Sequence, residues 1–259
     1  MPGMFPLEIE ETILDLLAED DESYSVLKTC SLVCQAFLPI CRKHIFGSIV
    51  LNENNVTMLS APTTDKFDRL LLETPEIADY MRKLDYNIRI ADLTSPSIQK
   101  SLKRISRLEF LTVRHHWQRP TSDWSNNPIR PALLHLLHLP TLTHFKVNDI
   151  KVFTVSDLIP CVNLKYLDVG FDTTVAAKNT FPAALPEHSI QPNEFVAGFG
   201  TSGAIMNLCT ARRPDGQPII DFGSLSKITV TIENSNQGEA SQDLFRRCHV
   251  LTNVHISCK

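Results

Sequence analysis

The chain has 259 residues, 43% of them hydrophobic and 21% charged, so it is long and apolar enough to bury a sizeable core. Its net charge of −4 argues against nucleic acid or an anionic membrane as the main partner, because both select a basic surface. The sequence predicts neither a membrane-spanning helix nor a secretory signal. Its seven cysteines follow no disulfide-like spacing, which predicts reduced thiols in a cytoplasmic or nuclear protein.

Three short helices are predicted at the start of the chain. Pro6 precedes a run with apolar residues at helical spacing, which ends at the acidic stretch 18–23. A second helix begins near Ser23 or Ser25 and is interrupted by Pro39, after which residues 40–46 form a third helical turn. The second helix is predicted to bury Val26, Leu27, Cys30, Val33, Cys34 and Phe37.

Four potential zinc ligands lie close together in this region: Cys30, Cys34, Cys41 and His44. Compact zinc sites usually hold one cysteine pair on a turn and a second pair about a dozen residues later. Here the first pair lies inside a predicted helix, and the other two residues lie beyond Pro39. We therefore predict that these cysteines pack as small apolar residues and that they bind no metal.

The same residues resemble the F-box, in the form common in fungal proteins. Residues 5–9, FPLEI, are similar to its LPxE[LI] opening, and residues 30–34, CSLVC, to its second helix. The departures are Phe5 for Leu, Phe37 for Trp, and Gln35 where Arg or Lys is common. The resemblance implies that residues 1–45 form a three-helix F-box that binds a Skp-type adaptor and, through it, a cullin–RING ubiquitin ligase.

By this resemblance, the adaptor-binding residues are Phe5, Pro6, Leu7, Glu8, Ile9, Ile13, Leu14, Leu17, Leu27, Leu32 and Val33. A module of this size cannot bury so many apolar side chains by itself, and such a surplus is typical of an interface. The alternative is that the rest of the chain covers these side chains.

Residues 46–259 are predicted to form a second, repetitive domain. An apolar pattern like the LxxLxL of leucine-rich repeats recurs at 46–51, 81–86, 108–113, 142–147, 164–169, 225–230 and 251–256, with a degenerate copy around Phe195. Helical patterns at 66–72, 131–139 and 204–212 lie between these copies. Alternation of strand and helix predicts an irregular leucine-rich-repeat-like α/β solenoid with a parallel sheet.

Such a solenoid displays the residues between its apolar positions on the concave face of the sheet. That face is of mixed charge, which suits a target protein. The predicted target-binding residues are Lys83, Asp85, Phe110, Arg114, His144, Lys146, Tyr166, Asp168, Lys227 and His255. The last copy, 251–256, has no predicted helix or polar cap after it, so we expect an unpaired edge with partly exposed apolar residues. We therefore expect either that the natural chain is longer or that the protein self-associates through its last repeat.

Residues 198–203, GFGTSG, match the GxGxxG of dinucleotide-binding proteins, between a short strand and a helical pattern. Only about 60 residues follow, and Asp221, where the fingerprint expects an acidic residue, leads into a turn. We prefer a glycine turn between a strand and its helix, with cofactor binding as the alternative. Trp124 lies in a predicted loop, either as an exposed binding anchor or packed beneath it.

The predicted function is that of a non-catalytic substrate-recognition subunit of an SCF-type E3 ubiquitin ligase, with no cofactor, metal or catalytic residue. The F-box would bind the adaptor and the repeats would bind the target. Two alternatives remain from the sequence: a dinucleotide-binding enzyme that uses residues 198–203, and a scaffold or interaction protein outside ubiquitination.

Overall fold

A computed structural model describes residues 6–18, 23–33, 35–51, 64–115, 124–176, 181 and 185–258. The chain begins with three helices, α1 (Leu7–Ala18), α2 (Ser23–Val33) and α3 (Phe37–Gly47). Because α2 ends at Val33, Phe37 begins the third helix instead of extending the second, which corrects the sequence-based boundary. Pro39 lies in the first turn of α3, where its missing N–H removes no helical hydrogen bond.

These three helices, here called the helical module, have a small core of their own. Leu14, Leu27, Ile40 and Cys41 form a buried cluster that is separate from the main core. The predicted burial of Val26 and Val33 is wrong, since both side chains are exposed on α2. The main neighbours of α2 are α3 and α1, and contacts with these two helices leave both valines exposed.

The rest of the chain is a mixed α/β structure. Its helices are α4 (Thr64–Glu73), α5 (Ile90–Leu93), α6 (Pro96–Leu102), α7 (Arg130–Leu137), α8 (Ser202–Thr210) and α9 (Ser235–Phe245). The strands are β1 (Ser48–Leu51), β2 (Lys83–Ile88), β3 (Phe110–His115), β4 (His144–Asn148), β5 (Phe153–Thr154), β6 (Tyr166–Val169), β7 (Val175–Ala176), β8 (Glu194–Ala197), β9 (Lys227–Ile232) and β10 (Asn253–Cys258). None of the described helices is both long enough and apolar enough to cross a membrane.

Among the described residues, eight strands form one parallel sheet in the order β1-β2-β3-β4-β6-β8-β9-β10. Each of these strands falls on one predicted LxxLxL copy, including the degenerate copy around Phe195. The short β5 and β7 pair separately and were not predicted. Strand follows strand in chain order, so residues at the same motif position lie beside one another across the whole sheet.

The two faces of the sheet differ because side chains alternate along a strand. One face buries apolar residues against the helices, for example Leu84, Leu111, Phe145, Leu167 and Ile228. Helices α4, α6, α7, α8 and α9 contribute to the same core. The other face carries the intervening, mainly polar residues and is left open.

Trp124 is buried, so it packs inside the fold and is not a surface anchor. Its indole Nε1 donates a 2.7 Å hydrogen bond to Oδ2 of Asp157. Arg130 binds both carboxylate oxygens of Asp157 through Nη2, at 2.7 and 3.0 Å. Two segments on either side of β4 are thereby joined through one buried carboxylate.

The sheet ends at β10, which pairs only with β9 among the described strands. Val254 and Ile256 are about half exposed, at 48% and 46%. In the neighbouring strand β9, the residues in register with them, Ile228 and Val230, are fully buried. The predicted exposure of apolar side chains at this edge is therefore confirmed.

Candidate binding surfaces

The helical module exposes apolar side chains on two of its helices. On α1, the residues Ile9, Ile13, Leu16 and Leu17 follow helical spacing on one side and are exposed. On α2, Leu32 is 87% and Val33 is 68% exposed, the highest values of any large apolar residue in the described chain. The rest of the described chain does not cover these residues, so they stay available to a partner.

The predicted adaptor-binding residues divide by exposure. Pro6, Glu8, Ile9, Ile13, Leu17, Leu32 and Val33 are exposed and accessible. Leu14 and Leu27 are buried in the core of the helical module, where they can support an interface without touching a partner. Phe5 and the side chain of Leu7 lie outside the described residues. Leu16 was not among the predicted contacts, although its helical spacing from Ile9 and Ile13 places it on their side.

The open face of the sheet is the second surface. Register aligns Lys83, Phe110, His144, Tyr166, Glu194 and Lys227 on consecutive neighbouring strands. Asp85, Thr112, Lys146 and Asp168 form the next row. Nine of the ten predicted target-binding residues thus lie on one continuous stretch from β2 to β9. His255 is on the same side but on the edge strand β10, beyond that stretch.

Three rings stack along the first row, and we call Phe110, His144 and Tyr166 the aromatic ladder. The ring centroids of Phe110 and His144 are 4.0 Å apart with 24° between their planes. Those of His144 and Tyr166 are 5.5 Å apart with 25° between their planes. Neighbouring strands are spaced by about 4.8 Å, so residues in register on successive strands are held at a stacking distance.

His144 is held by a hydrogen bond at one of its two ring nitrogens. Its Nδ1 lies 2.8 Å from Oγ1 of Thr143, and that hydroxyl also lies 3.2 Å from the backbone oxygen of Glu109. The proton of the Nδ1 contact comes from either group, because the Glu109 oxygen already accepts from the backbone N–H groups of Thr143 and His144 and does not require the hydroxyl. Burial lowers the pKa of His144 despite the opposing effects of Glu194 and Glu109, which favours the neutral ring.

Tyr166 is held by its hydroxyl group. It donates to Oδ2 of Asp168 at 3.3 Å, and the same oxygen is 2.6 Å from Nζ of Lys146. Burial, followed by the charge of Asp168, raises the pKa of the Tyr166 phenol, which therefore stays protonated. The ring is thus fixed at both ends, by its backbone and by its hydroxyl.

The charged groups of this face are mostly paired with each other. Asp85 binds Arg114 at 2.7 Å, Asp168 binds Lys146, and Glu194 binds Lys227 at 2.8 Å. Lys83 is exposed and forms no ion pair with a described residue. A shallow cavity of about 260 Å³ opens between Lys83, the aromatic ladder and Lys146.

The GFGTSG segment forms the turn between β8 and α8. A methyl group on Gly198 would lie 3.1 Å from the backbone nitrogen of Phe171, and Gly200 has a positive φ of 72°. These glycines are thus explained by close packing and turn geometry. Strand order also never reverses in this sheet, so it offers no switch point of the kind at which dinucleotides bind. Asp221 caps a short 3₁₀ turn by accepting from the backbone N–H of Gly223.

In the part of the chain that the structure describes, no three His, Cys, Asp or Glu side chains converge on a common point. Cys41 is fully buried in the core of the helical module, as predicted for apolar packing, whereas Cys34 lies outside the described residues. His44 is 2.6 Å from Asp15, and His135 and His138 each bind a backbone carbonyl.

The described chain therefore presents two separate surfaces, the apolar side chains of α1 and α2 and the aromatic ladder on the sheet. The first is suited to a partner that buries aliphatic side chains, and the second to one that adds contacts to preformed rings. No family model, curated protein or solved structure matches this chain.

Proposed function

We propose that this chain is a non-catalytic substrate-recognition subunit of an SCF-type ubiquitin ligase. In this proposal, the helical module is an F-box that binds a Skp-type adaptor, and the open face of a leucine-rich-repeat-like solenoid holds the target. The observation that supports it best is the exposure of Leu32 and Val33 on a helix whose sequence resembles the F-box.

The energetic argument concerns the cost of this exposure. Removing a Leu or Val side chain completely from water contributes about 1.5–3 kcal/mol. Leu32 and Val33 are 87% and 68% exposed, so a partner that covers both gains roughly 2–4 kcal/mol from them, or about 30- to 700-fold in affinity. A small module with so much apolar surface outside its own core is better explained by an interface than by folding alone.

The proposed activity requires no catalytic group on this chain. A receptor that holds a target beside a conjugating enzyme raises the effective concentration of the target's lysines near the reactive ubiquitin. Affinity and geometry then set the rate. Such a receptor needs one surface for each of two partners, and the described chain has two surfaces on different parts of the fold.

The test is binding of the full chain to a purified Skp-type adaptor. The double variant Leu32→Ala/Val33→Ala is expected to weaken the adaptor complex by about 30- to 700-fold, following the estimate above. Met206→Ala is the matched control, because Met206 is also an exposed apolar residue on a helix but lies on α8, outside the helical module. Leu27→Ala is unsuitable, since Leu27 is buried and its loss would disturb the module itself.

Unchanged affinity in the double variant, or failure of the wild-type chain to bind the adaptor, would refute the proposal. Adaptor binding without capture of a cullin would instead favour an interaction protein outside ubiquitination.

A further inference from the structure

We infer that the aromatic ladder recognises a short acidic segment, in which a carboxylate pairs with Lys83 and a neighbouring apolar side chain packs against Phe110 and His144. The description of this segment as part of a ubiquitination target rests on the proposed function. Its binding chemistry rests only on the sheet face.

The charge of the occupant follows from the ion pairs of the face. Each of Asp85, Asp168 and Glu194 already has a basic partner within 2.6–2.8 Å. Lys83, at one end of the ladder row, forms no ion pair with a described residue. An occupant with a carboxylate at this end forms a new ion pair with Lys83. A basic occupant is repelled by Lys83, and the three carboxylates named above are already paired with basic side chains.

The apolar contact follows from the stacked rings. Phe110 is 36% exposed although its ring is stacked on His144, so one side of the ladder is free to pack a further side chain. The cavity of about 260 Å³ between the ladder and Lys146 is large enough for one side chain and too small for a folded element. Preformed rings lose little conformational entropy on binding, and aromatic residues of this kind dominate many interfaces.

The hydrogen bond follows from the second ring nitrogen of His144. Its Nδ1 is engaged by Thr143, whereas its Nε2 contacts no described polar group. A peptide backbone carries both an N–H donor and a carbonyl acceptor, so it pairs with Nε2 in either tautomer of the ring. A peptide therefore satisfies all three features of the site: the cation, the rings and the ring nitrogen.

The length of the segment follows from the strand spacing. Lys83 and Tyr166 are separated by three strand spacings, or roughly 14 Å. An extended peptide covers about 3.3 Å per residue, so four or five residues bridge this distance. The acidic residue is expected at one end of such a segment, within about four positions of the apolar residue.

Selection from a random peptide library of about seven residues, displayed on phage and panned on the immobilised full chain, tests the inference. The expected enrichment is Asp or Glu within about four positions of Phe, Tyr, Trp or Leu. A selected peptide, measured by fluorescence polarisation, should lose at least about tenfold in affinity for Lys83→Glu and for Phe110→Ala. Replacing its acidic residue with Lys should restore binding to Lys83→Glu.

Lys100→Glu is the control for net charge, because Lys100 is an exposed lysine on α6 and not on the sheet face. Circular dichroism confirms that each variant is folded. Failure to enrich any peptide, enrichment without an acidic residue, or equal binding by Lys83→Glu and Lys100→Glu would overturn the inference. Adaptor affinity is measured on the same preparations. If the chain binds the adaptor but does not select acidic peptides, only this inference fails. If it selects acidic peptides but does not bind the adaptor, only the ligase proposal fails.

Discussion

Replacement of Asp157 by Ala is expected to be one of the most damaging single changes in the described part of the fold. The Asp157 side chain is 8% exposed and holds three groups: the indole of Trp124 and two nitrogens, Nε and Nη2, of Arg130. Its removal leaves a buried indole N–H without an acceptor, which costs about 1–3 kcal/mol. It also leaves a mostly buried guanidinium without its counter-charge, and breaking a buried ion pair costs about 3–5 kcal/mol.

These two costs overlap, because both arise from one carboxylate, and Arg130 regains some water through its remaining exposure. We therefore expect a loss of about 3–5 kcal/mol in the free energy of unfolding. Urea unfolding followed by far-UV circular dichroism measures this loss as a lower midpoint at constant m-value. In a domain of this size, the melting temperature should fall by roughly 6–20 °C.

Asp85→Ala is the matched control. Asp85 also forms a 2.7 Å pair with an arginine, but Arg114 is 45% exposed and the pair lies on the open face of the sheet. An exposed pair contributes at most about 1 kcal/mol. Equal losses for Asp157→Ala and Asp85→Ala would show that burial of the carboxylate does not determine its contribution.

Four further outcomes are expected. Gly198→Ala should destabilise the fold by about 1–3 kcal/mol in urea unfolding, because its methyl group would press on the backbone of Gly170 and Phe171, whereas Gly203→Ala, in open space on α8, should be neutral or stabilising. Amide hydrogens of β10 should exchange far faster than those of β6, and equal protection in a monomer would show that the edge of β10 is covered. Because the pKa of His144 is lowered on folding, protonation favours the unfolded state, so the free energy of unfolding should fall as the pH drops through and below about 6.5. The free energy of unfolding of His144→Gln should fall less steeply over the same pH range, and parallel pH profiles of the two proteins would contradict this explanation. A chelator should leave the melting temperature unchanged, since Cys41 is packed in the core of the helical module. A lower melting temperature that zinc restores would contradict apolar packing as the role of this cysteine.

The strands were predictable because their signal is local and repeated. An apolar residue at every second position predicts one buried face, and the eight copies of this pattern coincide with the eight strands of the sheet. Aligning the copies also predicts that Lys83, Phe110, His144 and Tyr166 share one row. Helix α9 was missed because its sequence, SNQGEASQDLF, has few apolar residues, and Ala240 and Leu244 become core residues only through packing.

Other features depend on contacts between residues that are distant in the chain. The buried Trp124 donates its hydrogen bond to Asp157, which lies 33 positions later, and no local pattern links the two. Helical spacing placed Val33 on the buried side of α2, but burial also requires a neighbour, and the described structure places none there. The contact between His144 and the Thr143 hydroxyl, which also lies 3.2 Å from the backbone oxygen of Glu109, likewise depends on how two neighbouring strands are paired. Periodicity in the sequence thus determined which residues form strands and which side chains share a face. Only the tertiary structure decided which side chains are covered and which atoms still lack a partner, because burial and hydrogen bonding depend on what the rest of the chain places beside them.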